Sequence, residues 1–213
     1  MHRLLERALP GAKGESRHVI AMVADIRGFS SFSKQNDSAD VASYVSKVYL
    51  RLISEFGGVS SDAFFKTTGD GLLFVFPFEE ADLEETYNKV VGNAMKCHDS
   101  FGDFAKGIRM INFETPRAIA FGISRGSACA LVSSLDGARM VLDYSGHKLN
   151  LAARLQDLAR PSGVILEGSP DVELLQPALR EQFTSTDIYV RSVAEKNTIK
   201  VFTSKTVKLP QSA

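Results

Sequence analysis

The sequence predicts one α+β domain, a mostly antiparallel sheet covered by helices, and three observations lead there. Apolar runs without alternation are interleaved with long stretches of helical period. Turn residues punctuate them at short intervals. No linker, internal repeat or low-complexity tract divides the chain, so the elements must pack around a common core. With 213 residues, 44% of them hydrophobic and 23% charged, there is apolar material enough for that core.

Taken in order, residues 1–17 place Pro10, Gly11 and Gly14 among charges and are expected as a loosely docked N-terminal tail. The folded domain is expected over 18–204. It opens with HVIAMVADI, a strand buried on both faces that stops at Arg27-Gly28. Asp37 or Ser38 can cap a helix whose Val41, Val45, Val48, Leu52 and Phe56 recur at helical spacing, ended by Gly57-Gly58. Residues 63–78, AFFKTTGDGLLFVFPF, read as a hairpin with Gly69-Asp70-Gly71 at its tip, because Asp and Gly tolerate hairpin-turn dihedrals. A second long helix is expected over 81–105, through Leu83, Tyr87, Val90, Ala94, Cys97, Phe101 and Phe104, with the acidic first turn that the helix dipole favours. Residues 117–132 are β-rich, and 149–160 form a shorter helix stopped by Pro161-Ser162-Gly163. A strand VILEG, a helix over 170–183, strands near 186–193 and 198–204, and a C-terminal tail over 205–213 complete the expectation.

Several function classes fall away. Twenty-five basic residues balance 25 acidic ones and no basic-aromatic stripe appears, so neither nucleic acid nor an anionic membrane surface is an expected partner. The apolar runs Val19–Val23 and Leu72–Phe78 fall far short of the roughly 20 residues of a membrane helix. The N-terminus lacks the apolar centre of a secretory signal, and a cytoplasmic location is expected. Cys97 and Cys129 stand in apolar surroundings without CxxC spacing and are expected as buried thiols. His2, His18, His98 and His147 lack metal-ligand spacing.

The chemistry-bearing residues fall in three segments. Asp25 in VADIRGFS and Asp70 in TTGDGLL each stand at a strand end with glycine nearby. If the two strands are neighbours, the carboxylates converge as hard oxygen ligands, suited to magnesium or manganese holding a nucleotide's phosphates. Gly28 leaves the backbone open, so the amides of Ile26, Phe29 and Ser30 could cradle a triphosphate. In the third segment, Asn150 and Arg154 lie four apart on one helix face, beside an inward stripe of Leu151, Leu155 and Leu158. A fork-shaped, always-charged donor suits a phosphoryl transition state, and an amide can orient a ribose.

DIRGFS at 25–30, FFKTTGDG at 64–71 and DYSGHKLNLAARL at 143–155 resemble, in order and spacing, the marker segments of class III nucleotidyl cyclases. The resemblance covers most of 18–204 and implies the ferredoxin-like catalytic fold of that family. It implies two divalent cations, Mg or Mn, on Asp25 and Asp70; base contacts from Lys66 and Asp143; a ribose-orienting Asn150; and a transition-state Arg154. It also implies a head-to-tail homodimer with active sites at the interface, one chain supplying the metals and the other the base pocket, asparagine and arginine. An NTP would become a 3',5'-cyclic nucleotide and pyrophosphate. A basic residue of the last hairpin is implied for the triphosphate, with Arg191 favoured over Lys196 and Lys200.

The base is less constrained. Lysine only donates and ionised aspartate only accepts, so the pair fits adenine N1 with its amino group, uracil O4 with N3–H, or cytosine N3 with its amino group. Size separates purine from pyrimidine, because the gap beside a small ring must be filled; Tyr49 on the first long helix is the candidate filler. TTGDGLL departs from the TIGDAYM-like hairpin of adenylate and guanylate cyclases, and the bare catalytic domain resembles the stand-alone pyrimidine cyclases of bacterial anti-phage systems. That resemblance implies UTP as favoured substrate, cUMP as product and a cyclic-nucleotide-activated effector downstream, with ATP the alternative substrate. A catalytically silent nucleotide-binding module is the alternative of another class, against which Asp25, Asp70, Asn150 and Arg154 stand together.

Overall fold

Every other element is arranged around the first strand. In the computed structural model, which describes residues 3–108, 114–135, 137–168, 170–190 and 198–209, β1 runs from Lys13 to Arg27. It pairs antiparallel with β3 (Gly71–Pro77) on one side and, along its whole length, with β4 (Ala118–Leu135) on the other. Both of its faces are covered, which is why HVIAMVADI shows no alternation. With β2 (Phe64–Thr67) beyond β3, the first four strands take the order β2-β3-β1-β4, that of the split β-α-β arrangement. Beyond β4 lie β6 (Gly163–Glu167), β8 (Ile199–Ser204) and β7 (Phe183–Ile188), while β5 (Ala138–Ser145) pairs with the C-terminal half of β4. Among the described strands the β4–β6 pair is parallel and the other pairs are antiparallel.

Helix α1 (Arg3–Ala8) precedes β1, and α2 (Phe29–Gln35) and α3 (Ser38–Phe56) follow it. Asp37 caps α3, its Oδ1 accepting from the Ala39 amide at 2.8 Å, and the helix buries Tyr44, Val48, Leu52 and Phe56. Helix α4 (Leu83–Gly107) packs with α3 on one face of the sheet, over Ile20, Met22 and Ile26 of β1 and Phe74 of β3. The odd-numbered positions Val19, Ala21 and Val23 face the other way, toward Leu149 and Ala152 of α5 (His147–Leu158). Asp25 and Arg27 continue that second face and so emerge beside α5. The approach is close at Gly122 of β4, where a Cβ would overlap the Ala152 carbonyl and the Gln156 amide.

Some expectations need correction. Residues 13–17 are not a loose tail: they pair with 128–132 of β4, because their period of two matches the pleat. Strand β5 was not expected at all; it pairs with β4 through a hairpin turned at Gly137, φ +82°. The helix expected over 170–183 is instead a 3-10 turn, Pro170–Leu174, and a four-residue α6, Pro177–Arg180, since Pro177 cannot continue a preceding helix. Strand β7 begins at Phe183, earlier than 186. Cys129 is exposed rather than buried, whereas Cys97 is buried and its thiol is pushed up to about 12 by desolvation. Among the described residues no helix is long and apolar enough to cross a membrane.

Gly122→Ala should force α5 off the sheet and cost about 1–3 kcal/mol, as overpacking does. Thermal unfolding should show Tm falling by roughly 2–4 °C per kcal/mol; an unchanged Tm would mean that α5 has room to spare.

Candidate active site

Two carboxylates meet at the end of β1. Asp25 lies opposite Gly71 in the β1–β3 register, and Asp70 occupies the turn just before it, its carbonyl accepting from the Ile26 amide at 3.4 Å. A Cβ on Gly71 would overlap the Ala24 carbonyl, so glycine is what lets the turn sit against β1. Gly69, at φ +94°, supplies the left-handed residue of the same turn. The Tyr49 hydroxyl donates to the Gly69 carbonyl and pins the tip from α3. The Asp25 carboxyl is pushed from its ordinary 3.8 up to about 6, first by burial and then by the charge and hydrogen bond of Asp70; the Arg27 guanidinium opposes the shift. Two acids held this close resist ionising together unless a cation sits between them.

On the same side of the sheet, β2 and β5 bring Lys66 and Asp143 into contact, Nζ to Oδ2 at 2.6 Å across 77 residues of sequence. The β5 register shifts between Leu131 and Val132, a bulge adjacent to Asp143 of the kind that re-aims a side chain. Asp143 Oδ1 also accepts from the Tyr144 amide at 2.9 Å. Below the pair, the Tyr144 ring meets Phe64 edge-on at 5.4 Å, so Tyr144 is a wall residue and not a free group. Both charged side chains are well exposed, 53% and 39%. An exposed pair of this kind contributes only about 0–1 kcal/mol, so a ligand can open it at little cost.

Helix α5 presents Asn150 and Arg154 on its exposed face. Asn150 lines a cavity of about 500 Å³ together with Asp25, Gln156, Val23, Leu73 and Tyr144. Arg154 is exposed and makes no hydrogen bond or ion pair among the described residues. Gly28 sits at φ +82° before α2, and its carbonyl accepts from the Phe32 amide at 3.2 Å. Ile26 is buried in the core and its amide already donates to the Asp70 carbonyl, so it is not offered to an anion; Phe29 packs against the core and can act only through its backbone amide, and the Ser30 side chain is exposed. Tyr49 touches the Asp70 turn, which gives it a bracing contact at the carboxylate end of the site. Arg191 and Lys196 lie outside the described residues, and Lys200 is on β8.

Sequence reasoning missed Arg27. It is buried, 8% exposed, in contact with Asp25 at 3.4 Å, and bonded to carbonyls at the end of α5. A charged residue closing an otherwise apolar run was the available signal.

The sequence model of the adenylate and guanylate cyclase catalytic domain matches residues 12–205. The chain belongs to that family. It is a class III nucleotidyl cyclase domain. Its fold is similar to that of the adenylyl cyclase CyaB from P. aeruginosa, with TM-score 0.71, 16% identity, and 90% of this chain and 95% of that one covered. The guanylyl cyclase Cya2 gives TM-score 0.67 and 15% identity, with 92% and 96% covered. A dimeric guanylyl cyclase domain from the aquatic fungus Blastocladiella emersonii gives 0.60 and 16%, with 93% and 99% covered. No curated protein sequence matches the chain.

Class III cyclases use divalent metals, and the residues present fit one. Among the described residues no cluster of three or more His, Cys, Asp or Glu could enclose an ion. Two adjacent carboxylates that repel one another suit magnesium-like cations, which keep several waters and complete their shell with substrate phosphates.

The raised Asp25 carboxyl fixes the sign of a pH effect. Its folded value, about 6, exceeds the ordinary 3.8 of the unfolded chain. Its stability contribution is therefore fully present below about pH 4 and is lost as pH rises through about 6. In EDTA, Asp25→Asn should melt above the unsubstituted protein at pH 7.5, with the difference vanishing toward pH 4. Equal melting temperatures at both pH values would show that Asp25 is not held against its will.

Proposed function

We propose that this cyclase converts an NTP, with UTP favoured, to a 3',5'-cyclic nucleotide and pyrophosphate. The observation that carries the reading is the meeting of Asp25 with the Asp70 turn at the end of β1. When bound, Mg or Mn supplies neutralisation of triphosphate charge and acidifies the ribose 3'-hydroxyl. Asp25 and Asp70 would hold the cations. The amides of the Gly28–Ser30 turn would face the phosphates, and Arg191 is proposed for the same anion. Lys66 donates to the base and Asp143 accepts from it. Asn150 orients the ribose, and Arg154 meets charge developing on the transferring phosphoryl group.

The exposed Arg154, without a hydrogen-bond or ion-pair partner among the described residues, supports a head-to-tail homodimer in which α5 of one protomer serves the cations of the other. For the base, Lys66 and Asp143 demand adjacent acceptor and donor atoms, which uracil presents as O4 and N3–H. Adenine N1 with its amino group meets the same charge pair, so ATP is the second reading. With UTP as substrate, the product is cUMP, a messenger for a downstream effector, and we place the enzyme in the cytoplasm as a synthase in anti-phage defence.

Incubation with each NTP and manganese, with products resolved by mass, should yield cUMP foremost. Cyclic nucleotide from ATP alone would overturn the uridine preference, and none from any NTP would overturn the activity. Arg154→Ala should keep its fold and Mn2+ binding yet lose roughly 10³ or more in turnover; near-normal turnover would remove Arg154 from the chemistry.

A further inference from the structure

Arg27 lies two residues past Asp25 on the same face of β1, and its buried guanidinium spans two elements. Nη1 donates to Asp25 Oδ2 at 3.4 Å. Nη2 donates to the Gln156 carbonyl and, at 3.2 Å, to the Ala159 carbonyl, both at the C-terminal end of α5. We infer that Arg27 is a positioning residue joining the cation site to α5, so that occupancy of Asp25 and Asp70 changes how firmly the last turn of the helix is held. The inference rests on reading those two carboxylates as the cation site.

One guanidinium is shared between unequal claims. A charge-assisted hydrogen bond normally closes to about 2.7–2.9 Å, so the Asp25 contact is a loose one. The carbonyls at the end of α5 carry the negative end of the helix dipole and hold the other nitrogen. Arg27 Nε and Gln156 Nε2 are buried without partners among the described residues, so the cluster has donors to spare and is free to redistribute them. A divalent cation on Asp25 would withdraw carboxylate charge from Arg27 and repel the guanidinium through poorly screened surroundings. The acceptors already in contact are then the two helix carbonyls, and the guanidinium shifts its weight onto them.

Cation occupancy therefore tightens the end of α5, and reciprocally a tighter helix end raises cation affinity. Helix α5 also carries Asn150 and Arg154. In the proposed dimer, a cation bound in one active site would steady the helix that serves the other. A guanidinium acting only as a helix C-cap would show the same static contacts and no such response.

The test is hydrogen exchange of the full chain with and without Mn2+, with occupancy established by calorimetry. Amides of 156–160 should exchange at least about fivefold more slowly with the cation bound, within the usual range of coupling. Arg27→Lys, which offers a point charge in place of a fork, should bind Mn2+ and lose most of that slowing. Bound cation with unchanged exchange at 156–160 would overturn the coupling, as would full slowing in Arg27→Lys. No cation binding to the unsubstituted protein would instead take down the cation site, and the coupling with it. If Arg27→Lys does not fold, the measurement on the unsubstituted protein still decides.

Discussion

Two acidic residues come together at the end of a buried strand, where burial and the charge of Asp70 disfavour ionisation of Asp25, and the rest of the site is arranged around that unfavourable placement. Backbone geometry enforces it. Gly71 lets the β2–β3 turn lie against Ala24, the Ile26 amide reaches the Asp70 carbonyl, and Tyr49 braces the turn from α3. The repulsion is tolerable because these contacts hold the turn in place, and because a cation between the carboxylates would relieve it.

The two faces of β1 divide labour. Its even positions bury Ile20, Met22 and Ile26 under α3 and α4 and supply the main core. Its odd positions run from Val19 through Val23 to Asp25 and Arg27, so the same strand changes on its second face from apolar to charged residues. Helix α5 packs on that second face, close enough for Gly122 to be necessary, and carries Asn150 and Arg154 outward. Lys66 and Asp143 stand on the same side, joined by an exposed ion pair that a base could part.

Much of this was legible in the sequence, and the reasons are local. Helical period marked α3 and α4, Asp37 marked a cap, and Gly69-Asp70-Gly71 marked a turn, each because a few adjacent residues decide the conformation. The convergence of Asp25 with Asp70 followed once their strands were taken as neighbours. What escaped was set by distant contacts. Strand β5 is placed by its pairing with β4, and the break at Pro177 interrupts what periodicity alone reads as a helix. Tyr49, read as a base-pocket filler, is seen in contact with the Asp70 turn. Arg27 was invisible as a linking group because its partners, Gln156 and Ala159, lie 129 and 132 residues away.

The central claim is that Asp25 and Asp70 together form a cation site, with burial and the charge of Asp70 raising the Asp25 carboxyl. Calorimetry of Mn2+ binding in buffers of different ionisation enthalpy measures this directly, because binding must displace whatever proton Asp25 holds. The account predicts release of about half a proton per site at pH 6 and almost none at pH 8, with binding lost in Asp25→Asn. Mn2+ binding that releases no proton at pH 6, or that survives Asp25→Asn unchanged, would contradict it.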